Sequence, residues 1–365
     1  MEKVRMGIIG IGSFGMQHTE RIIKEVDNMD LTAVCDICPK QAAWAAEKLP
    51  EVAFFDDAEE MLKSGLIDAV LIGTPHYDHP SLTMLAFDYG IHVLVEKPAG
   101  VYTKQVKEMN AAADRKPELV FGIMYNQRTN CVFRKMKEMV DNGDLGRIRR
   151  SVWIISDWYR SQAYYDQGSW RATWKGEGGG VLINQCPHNL DMWQWITGMP
   201  KMISAHCHNG KWHEIEVEDD VTAYAEFENG ATGVFITSTA DMPGTNRFEL
   251  TGDNGKLVCE NDKLTFHKLS VPEHEFTKTN KEMFGKPDVE IIEVETDGEN
   301  PQHSGVFHAF ANKILGKGEL VADGREGING LMISNAIHLS SWLRKPVELP
   351  IDEGLFFEEL KKRWK

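Results

Sequence analysis

Met6-Gly7-Ile8-Ile9-Gly10-Ile11-Gly12-Ser13-Phe14-Gly15 is the stretch that decides the fold. An apolar run, Met6–Ile9, ends in a Gly-x-Gly-x-x-Gly turn, and Met16, Thr19, Ile22, Ile23 and Val26 then recur at helical spacing. A strand that turns through three glycines into a helix is a phosphate cradle. Gly10 permits the tight turn, Gly12 lets the backbone approach a diphosphate, and Gly15 lets the helix pack close to the strand. Ser13 and Phe14 open the helix, whose free N–H groups and dipole favour negative charge at that end. Asp36 closes the next apolar run, Leu31–Cys35, 21 residues after Gly15, where a carboxylate accepts hydrogen bonds from ribose hydroxyls. That carboxylate repels a 2′-phosphate, and Ile37 and Cys38 bring no cation to receive one. The reading favours NAD over NADP.

Outward from this loop the first third alternates short β-branched runs with helical periodicity. Strands are expected at Met6–Ile9, Leu31–Cys35, Val52–Phe55, Ala69–Ile72, His92–Val95 and Leu119–Gly122, with helices near Ser81–Tyr89 and Lys104–Arg115. This is the pattern of a doubly wound parallel sheet covered by helices. After about Tyr125 the rhythm changes. A helix carrying Val132, Phe133, Met136, Met139 and Val140 stops at Asn142-Gly143. Longer β-rich segments follow at Ile148–Ser156, Ile203–Cys207, Val221–Glu226, Thr232–Thr239, Arg247–Thr251 and Lys256–Glu260. Turns at Glu228-Asn229-Gly230 and Gly252-Asp253-Asn254-Gly255 make them a meander. Helical patterns return at Phe307–Leu315 and Gly327–Leu343. The expected fold class is an α/β dinucleotide domain over residues 1–125, followed by an α+β domain over 126–365 with a large, mostly antiparallel sheet.

The bulk properties exclude several classes. With 365 residues the chain supports two cores. Its 40 basic and 55 acidic side chains give a formal charge of -15, the wrong sign for a nucleic-acid binder, and Arg147, Arg149 and Arg150 form too short a basic stripe to reverse that. No apolar run reaches membrane-span length, and Met1–Arg5 lacks a signal-peptide layout, so a cytoplasmic protein is expected. Cys35 and Cys38 form a C-x-x-C without a second pair, and nothing beside His206, Cys207 and His208 completes a metal site. Neither a metal nor a disulfide is expected.

Further motifs bring a family into view. Gly73-Thr74-Pro75 follows the fourth strand, Glu96-Lys97-Pro98 follows the fifth, and Gly178-Gly179-Gly180 precedes His188 and Asp191. With the glycine loop, the Glu218-Asp219-Asp220 segment and the Gly252/Gly255 turn, the whole chain resembles the glucose–fructose oxidoreductase / inositol dehydrogenase / rhizopine catabolism (Gfo/Idh/MocA) oxidoreductases. The resemblance implies a Rossmann domain, NAD as cofactor, and oxidation of a hydroxyl on a sugar, cyclitol or related polyol. It also implies a homo-oligomer formed through the sheet of the C-terminal domain. Thr74, Pro75 and Glu96 match positions that line the cofactor. His76 stands where the family often has Asn, and Asn126, with Arg128 near it, resembles a residue facing the cofactor and cleft. Lys97 matches the lysine beside the nicotinamide and the reacting carbinol, often before a cis-proline.

Oxidising an alcohol needs a base for the hydroxyl proton within hydrogen-bond reach. Histidine has a suitable pKa unperturbed, and lysine can be lowered into range by burial or a neighbouring cation. Lys97 and His188 are therefore the expected pair, one as base and the other orienting the hydroxyl. The family pattern G-G-G-x-L-x-D-x-G-x-H-x-x-D reads here with Asn184 at the Asp position and Cys186 at the second Gly. Asn184 can bind a hydroxyl but cannot take its proton. Pro187 makes the placement of Asn184, His188 and Asp191 on one helix face depend on where that helix begins. The Asn variant resembles a subgroup oxidising glycosides at the sugar C3 hydroxyl. Between Trp153 and Trp174 the chain is rich in aromatics and arginines. Trp158, Arg160, Trp170 and Arg171, with Asn184 and His188, are the expected substrate contacts, because ring faces suit the C–H face of a sugar. Two alternatives share the motifs: an NAD-dependent glycosidase that oxidises its sugar transiently, and a non-catalytic dinucleotide-binding regulator.

Overall fold

A computed structural model describes residues 2–168 and 170–365. The chain forms two compact units, Met1–Thr129 with Pro301–Leu331, and Asn130–Asn300 with Met332–Lys365. In the first, strands β1 (Val4–Ile9), β2 (Met29–Cys35), β3 (Ala53–Phe55), β4 (Ala69–Ile72), β5 (His92–Val95) and β6 (Phe121–Ile123) form a sheet in the order β3-β2-β1-β4-β5-β6. All its pairings are parallel. The strands are near-continuous aliphatic runs because helices cover both faces: every residue of β4 is buried, and so is all of β1 except Arg5. The order reverses between β1 and β4, and ligands of such sheets bind outside the carboxyl ends of the strands at that switch.

Residues 301–331 lie in the first unit, not with the second as a split after residue 125 predicts, and residues 126–129 join it as well. The reason is packing over long sequence separation. The helix Gln302–Ile314 places Val306, Phe307, Phe310 and Ala311 in one core with Met6, Ile8, Ile22 and Leu71. Local periodicity identifies such a helix but says nothing about which sheet it covers.

The second unit holds strands β7 (Ile148–Ile155), β8 (Met202–Asn209), β9 (Glu218–Glu226), β10 (Thr232–Ser238), β11 (Asn246–Gly252), β12 (Gly255–Glu260), β13 (Lys263–Leu269), β14 (Val289–Glu293) and β15 (Val347–Glu348). They run in the order β14-β13-β12-β11-β7-β10-β9-β8-β15. Every pairing is antiparallel except that of β10 with β7. On β9, Val221, Ala223 and Ala225 are buried while Thr222 and Tyr224 face out, the alternation of a sheet with one covered face. Register sets Phe235, Trp153 and Phe248 side by side on three strands, Trp153 stacked on Phe248 at 4.3 Å. The helix Pro187–Thr197 sits on this ladder. Trp193 stacks on Phe235 at 5.5 Å and its indole N–H donates to Ser151 Oγ at 2.6 Å. A Cβ on Gly233 would lie 2.7 Å from the Trp193 ring, so the strand makes room for that helix by carrying glycine.

Phe310→Ala removes a fully buried ring from the first unit's core. The expected loss, read by urea unfolding, is about 3–5 kcal/mol. A loss below about 1 kcal/mol would show that the helix is not part of that core.

Candidate active site

In the first unit the carboxyl ends of β1, β2, β4 and β5 carry the expected residues. Gly10 has φ +91°, and a Cβ there would sit 2.7 Å from the Gly73 carbonyl. A Cβ on Gly15 would lie 2.1 Å from Gly10 O, so only glycine lets the helix Ser13–Glu25 start this close to the strand. Gly12 precedes that helix with no side-chain cap among the described residues, and a Cβ there would meet nothing within 4 Å. Open space in front of uncapped N–H groups is what a diphosphate requires. Asp36 fits the ribose role: its Oδ2 accepts from Ile11 N and its Oδ1 from Cys38 N, both at 2.9 Å. The carboxylate is thereby oriented, and each oxygen keeps a lone pair for a hydroxyl. Thr74 Oγ1 is buried with no hydrogen-bond partner among the described residues, a hydroxyl awaiting a bound group. These residues fit NAD.

Four histidines organise this end of the sheet: His76, expected beside the cofactor, and His18, His79 and His303, which the motifs did not mark. His79, fully buried, bridges the loops after β4 and β5, Nδ1 lying 2.7 Å from Pro98 O and Nε2 2.8 Å from Thr74 O. His76 opens the turn before it, its ring 6.1 Å from that of His79. His18, also fully buried, lies with Nε2 2.7 Å from Glu96 Oε1, while Glu96 Oε2 accepts from Lys97 N at 3.0 Å. Burial opposes the Glu96 charge. The hydrogen bond from His18 and the charges of His18, Lys97 and His303 outweigh it and hold the carboxyl down to about 2. His303, its ring 5.4 Å from that of His18, is pushed down to about 4 by burial and by the neighbouring cations, against the pull of Glu96. Their only sequence signal is helical spacing, since His18 follows Gly15 by three residues. The Lys97–Pro98 bond is cis, as the motif suggests. Asn126 opens the turn Asn126–Thr129 and donates to Gln302, and Arg128 pairs with Glu326 at 2.8 Å.

In the second unit a fully buried carboxylate, Glu218, shapes the glycine triplet. It accepts from Gly180 N and Leu182 N at 2.9–3.0 Å, with His338 Nε2 3.1 Å away. A Cβ on Gly180 would fall 2.0 Å from Glu218 O. The helix that follows begins at Pro187, placing His188 in its first turn. Asn184 therefore does not share a helix face with His188 and Asp191. It lies in the preceding turn, its N–H bonded to Gly180 O. Asn184 and His188 are half-buried, whereas Asp191 is fully buried and accepts from Gln194.

The aromatic segment divides. Trp153 and Trp174 are core, Trp174 packing on His338 and Trp342. Trp158, Arg160, Trp170 and Arg171 come together around Tyr164. Arg160 lies over the rings of Trp158 and Tyr164, and Arg171 over those of Tyr164 and Trp170. Arg171 also donates to Tyr164 Oη at 2.7 Å, and Trp158 Nε1 donates to Asn189 at 3.3 Å. Tyr164 and Glu177 are the members that motif reading missed. Glu177, 2% exposed, accepts from Ala172 N at 2.6 Å and from the Asn184 amide, and lies 3.6 Å from Arg171 Nη1. An acidic residue directly before the glycine triplet was the available signal.

A dinucleotide cradle on a doubly wound sheet, with a lysine after its fifth strand, defines an NAD-dependent oxidoreductase acting on CH–OH groups. Residues 4–123 match the oxidoreductase family with NAD-binding Rossmann fold, and residues 133–258 match the GFO/IDH/MocA C-terminal domain. The chain belongs to the Gfo/Idh/MocA family. It is 27% identical to the D-glucoside 3-dehydrogenase of Escherichia coli K12, over 95% of this chain and 97% of that protein. It is 25% identical to the myo-inositol 2-dehydrogenase of Thermotoga maritima, over 72% and 77% of the two chains. The WlbA dehydrogenase of Bordetella pertussis, solved with NADH and UDP-GlcNAcA, superposes with a TM-score of 0.80 at 26% identity, covering 96% of this chain and all of that one. Among the described residues no helix is long and apolar enough to cross a membrane.

Glu96→Gln tests the buried anion. A carboxyl depressed in the folded state stabilises above its unfolded pKa and loses that contribution as pH falls toward its folded value. The difference in thermal stability between wild type and variant should thus be full near pH 6–7, on the order of 2–3 kcal/mol, and vanish between about pH 5 and 2. A pH-independent difference would mean that the charge is not held this way.

Proposed function

We propose that the protein oxidises a secondary hydroxyl of a sugar, cyclitol or glycoside, and in particular the C3 hydroxyl of a glycoside. The observation that carries this reading is the setting of Lys97. It directly follows Glu96, whose carboxylate binds the Lys97 N–H, at the carboxyl end of β5 in the sheet that holds the glycine cradle. The likeness to the D-glucoside 3-dehydrogenase over nearly the full chain supports the C3 glycoside as substrate.

NAD, when bound, supplies the hydride acceptor. Gly10, Gly12, Ser13, Phe14 and Gly15 receive its diphosphate, Asp36 its ribose, and Thr74, Pro75, His76, Glu96 and Asn126 line its path. Lys97 and His188 bind the reacting hydroxyl and take its proton between them, a role for which each residue type is chemically suited. Asn184 binds a neighbouring hydroxyl, and Trp158, Arg160, Trp170 and Arg171 hold the ring, stacking on its C–H face and donating to its oxygens. Homo-oligomerisation through the second unit's sheet is supported by apolar side chains on its strands that remain exposed, such as Tyr224, Val289 and Ile291. Light scattering should give more than one copy per particle, and a monomer at micromolar concentration would remove that part of the reading.

A panel of sugars, cyclitols and alkyl or aryl glucosides with NAD tests the reaction. NADH absorbance should rise and persist for at least one glucoside, with a 3-keto product by NMR. Lys97→Ala and His188→Ala should each lower kcat by about 100-fold or more, the usual worth of a positioned proton-transfer group. Aglycone release without accumulated NADH would replace net oxidation by transient oxidation. Undiminished turnover in Lys97→Ala would remove that lysine from the mechanism.

A further inference from the structure

Glu177 is a buried carboxylate to which the reaction as described assigns no part. Its two oxygens serve two different segments. Oε2 accepts from Ala172 N, in the turn that follows Trp170 and Arg171, and Oε1 accepts from the side-chain amide of Asn184. Ala172 takes a left-handed conformation, φ 56°, and Gly176 passes so close that a Cβ would lie 2.4 Å from Trp170 O. The segment 170–177 is thus folded back on itself around this one side chain. The charged groups facing it are Arg171, whose Nη1 lies 3.6 Å away, and Glu218, which repels it.

An ionised carboxylate only accepts hydrogen bonds, so its neighbour must present a donor. The Asn184 amide meets this by turning Nδ2 toward Glu177, which turns its carbonyl Oδ1 to the opposite side. Aspartate, which the family pattern has at this position, could not make that contact. Two carboxylates at hydrogen-bond distance in a buried place cannot both be ionised and must share a proton. Burial already raises the Glu177 carboxyl above its usual range, despite the pull of Ala172 N–H, Arg171 and Asn184, and a second anion would raise it further.

We propose that Glu177 is a positioning residue that locks the Asn184 amide with its carbonyl presented to a substrate hydroxyl, and that asparagine stands at 184 because a carboxylate stands at 177. The proposal rests on the reading of Asn184 as a substrate contact. It makes the pair a unit: exchanging which member is the acid preserves the contact and its direction. Two acids lose the contact unless they share a proton, and two amides keep a hydrogen bond but no longer fix which way the residue 184 amide faces.

The test is a double-mutant cycle of Glu177→Gln, Asn184→Asp and the combined swap, read by thermal stability against pH and by the kinetics of glucoside-dependent NAD reduction. Asn184→Asp should melt lower at neutral pH than at pH 5 relative to wild type. Its kcat/KM should fall about tenfold or more at pH 7.5, with the pH optimum moved to the acid side. Glu177→Gln offers a donor as readily as an acceptor, so its main effect should be a raised KM with a folded protein. The swap Glu177→Gln/Asn184→Asp should recover the neutral-pH melting temperature and most of the KM, and lose the acid-shifted profile. Additive effects in both readouts, with no recovery in the swap, would overturn the proposal. A wild type that reduces NAD with no member of the panel would instead sink the functional reading, and the stability cycle would still decide whether Glu177 and Asn184 are coupled.

Discussion

A carboxylate removed from water must be met by donors, and both units are organised around that constraint. Glu218 is the clearest instance. Backbone N–H groups of Gly180 and Leu182 converge on a side chain with no exposed surface, and the chain passes so near Glu218 O that residue 180 can carry no Cβ. Asp219, next along β9, does the same for the turn at Lys211, Trp212 and His213, whose N–H groups it accepts. Glu96 solves the problem in the first unit with an imidazole and the N–H of Lys97. In each case a backbone segment is held by an anion that cannot leave its donors without a penalty of several kcal/mol, and for Glu218 and Glu96 that segment leads into expected site residues.

Such anchoring matters because proton and hydride transfer reward placement. An error of an ångström in a reacting group costs far more than the weak contacts on a surface can repay. The glycine triplet, the turn that carries Asn184 and the first turn of the helix that carries His188 follow one another within a dozen residues. Glu218 fixes their start, and Trp193, packed on Phe235 and bonded to Ser151, fixes their end. Little freedom remains between the two. Pro187 suits this design, since its missing N–H costs nothing at the first helical position.

What the sequence made legible follows from the range of the forces involved. Strand positions in the first unit agree with the aliphatic runs to within about two residues, and the glycine loop sits where its spacing requires, because both signals are local. The helix Gln302–Ile314 was readable as a helix, but its home was not. Phe307 and Phe310 reach a core built from residues almost three hundred positions earlier, and no periodicity encodes that partner. The pairing of His18 with Glu96 spans 78 residues and was equally hidden. Strands β13 and β14 escaped notice for a different reason. They carry charged residues, and β14 is the edge strand of the sheet with β13 next to it, where the alternation of buried and exposed positions weakens.

The aromatic segment shows how arginines and rings can be combined into a surface chemically suited to a polyol. Arg160 and Arg171 lie over the rings of Trp158, Tyr164 and Trp170, at 4.7–5.7 Å from their centres. A guanidinium stacked on a ring is held by its face, which leaves its in-plane N–H groups to act as directional donors. A guanidinium held by a bidentate carboxylate would have spent those donors already. Tyr164 accepts one of them from Arg171 and another N–H from Gln185, so its hydroxyl hydrogen remains to be donated. Rings that hold the arginines and arginines that keep donors available form a surface matched to alternating C–H faces and hydroxyl edges, which is the chemistry of a sugar ring.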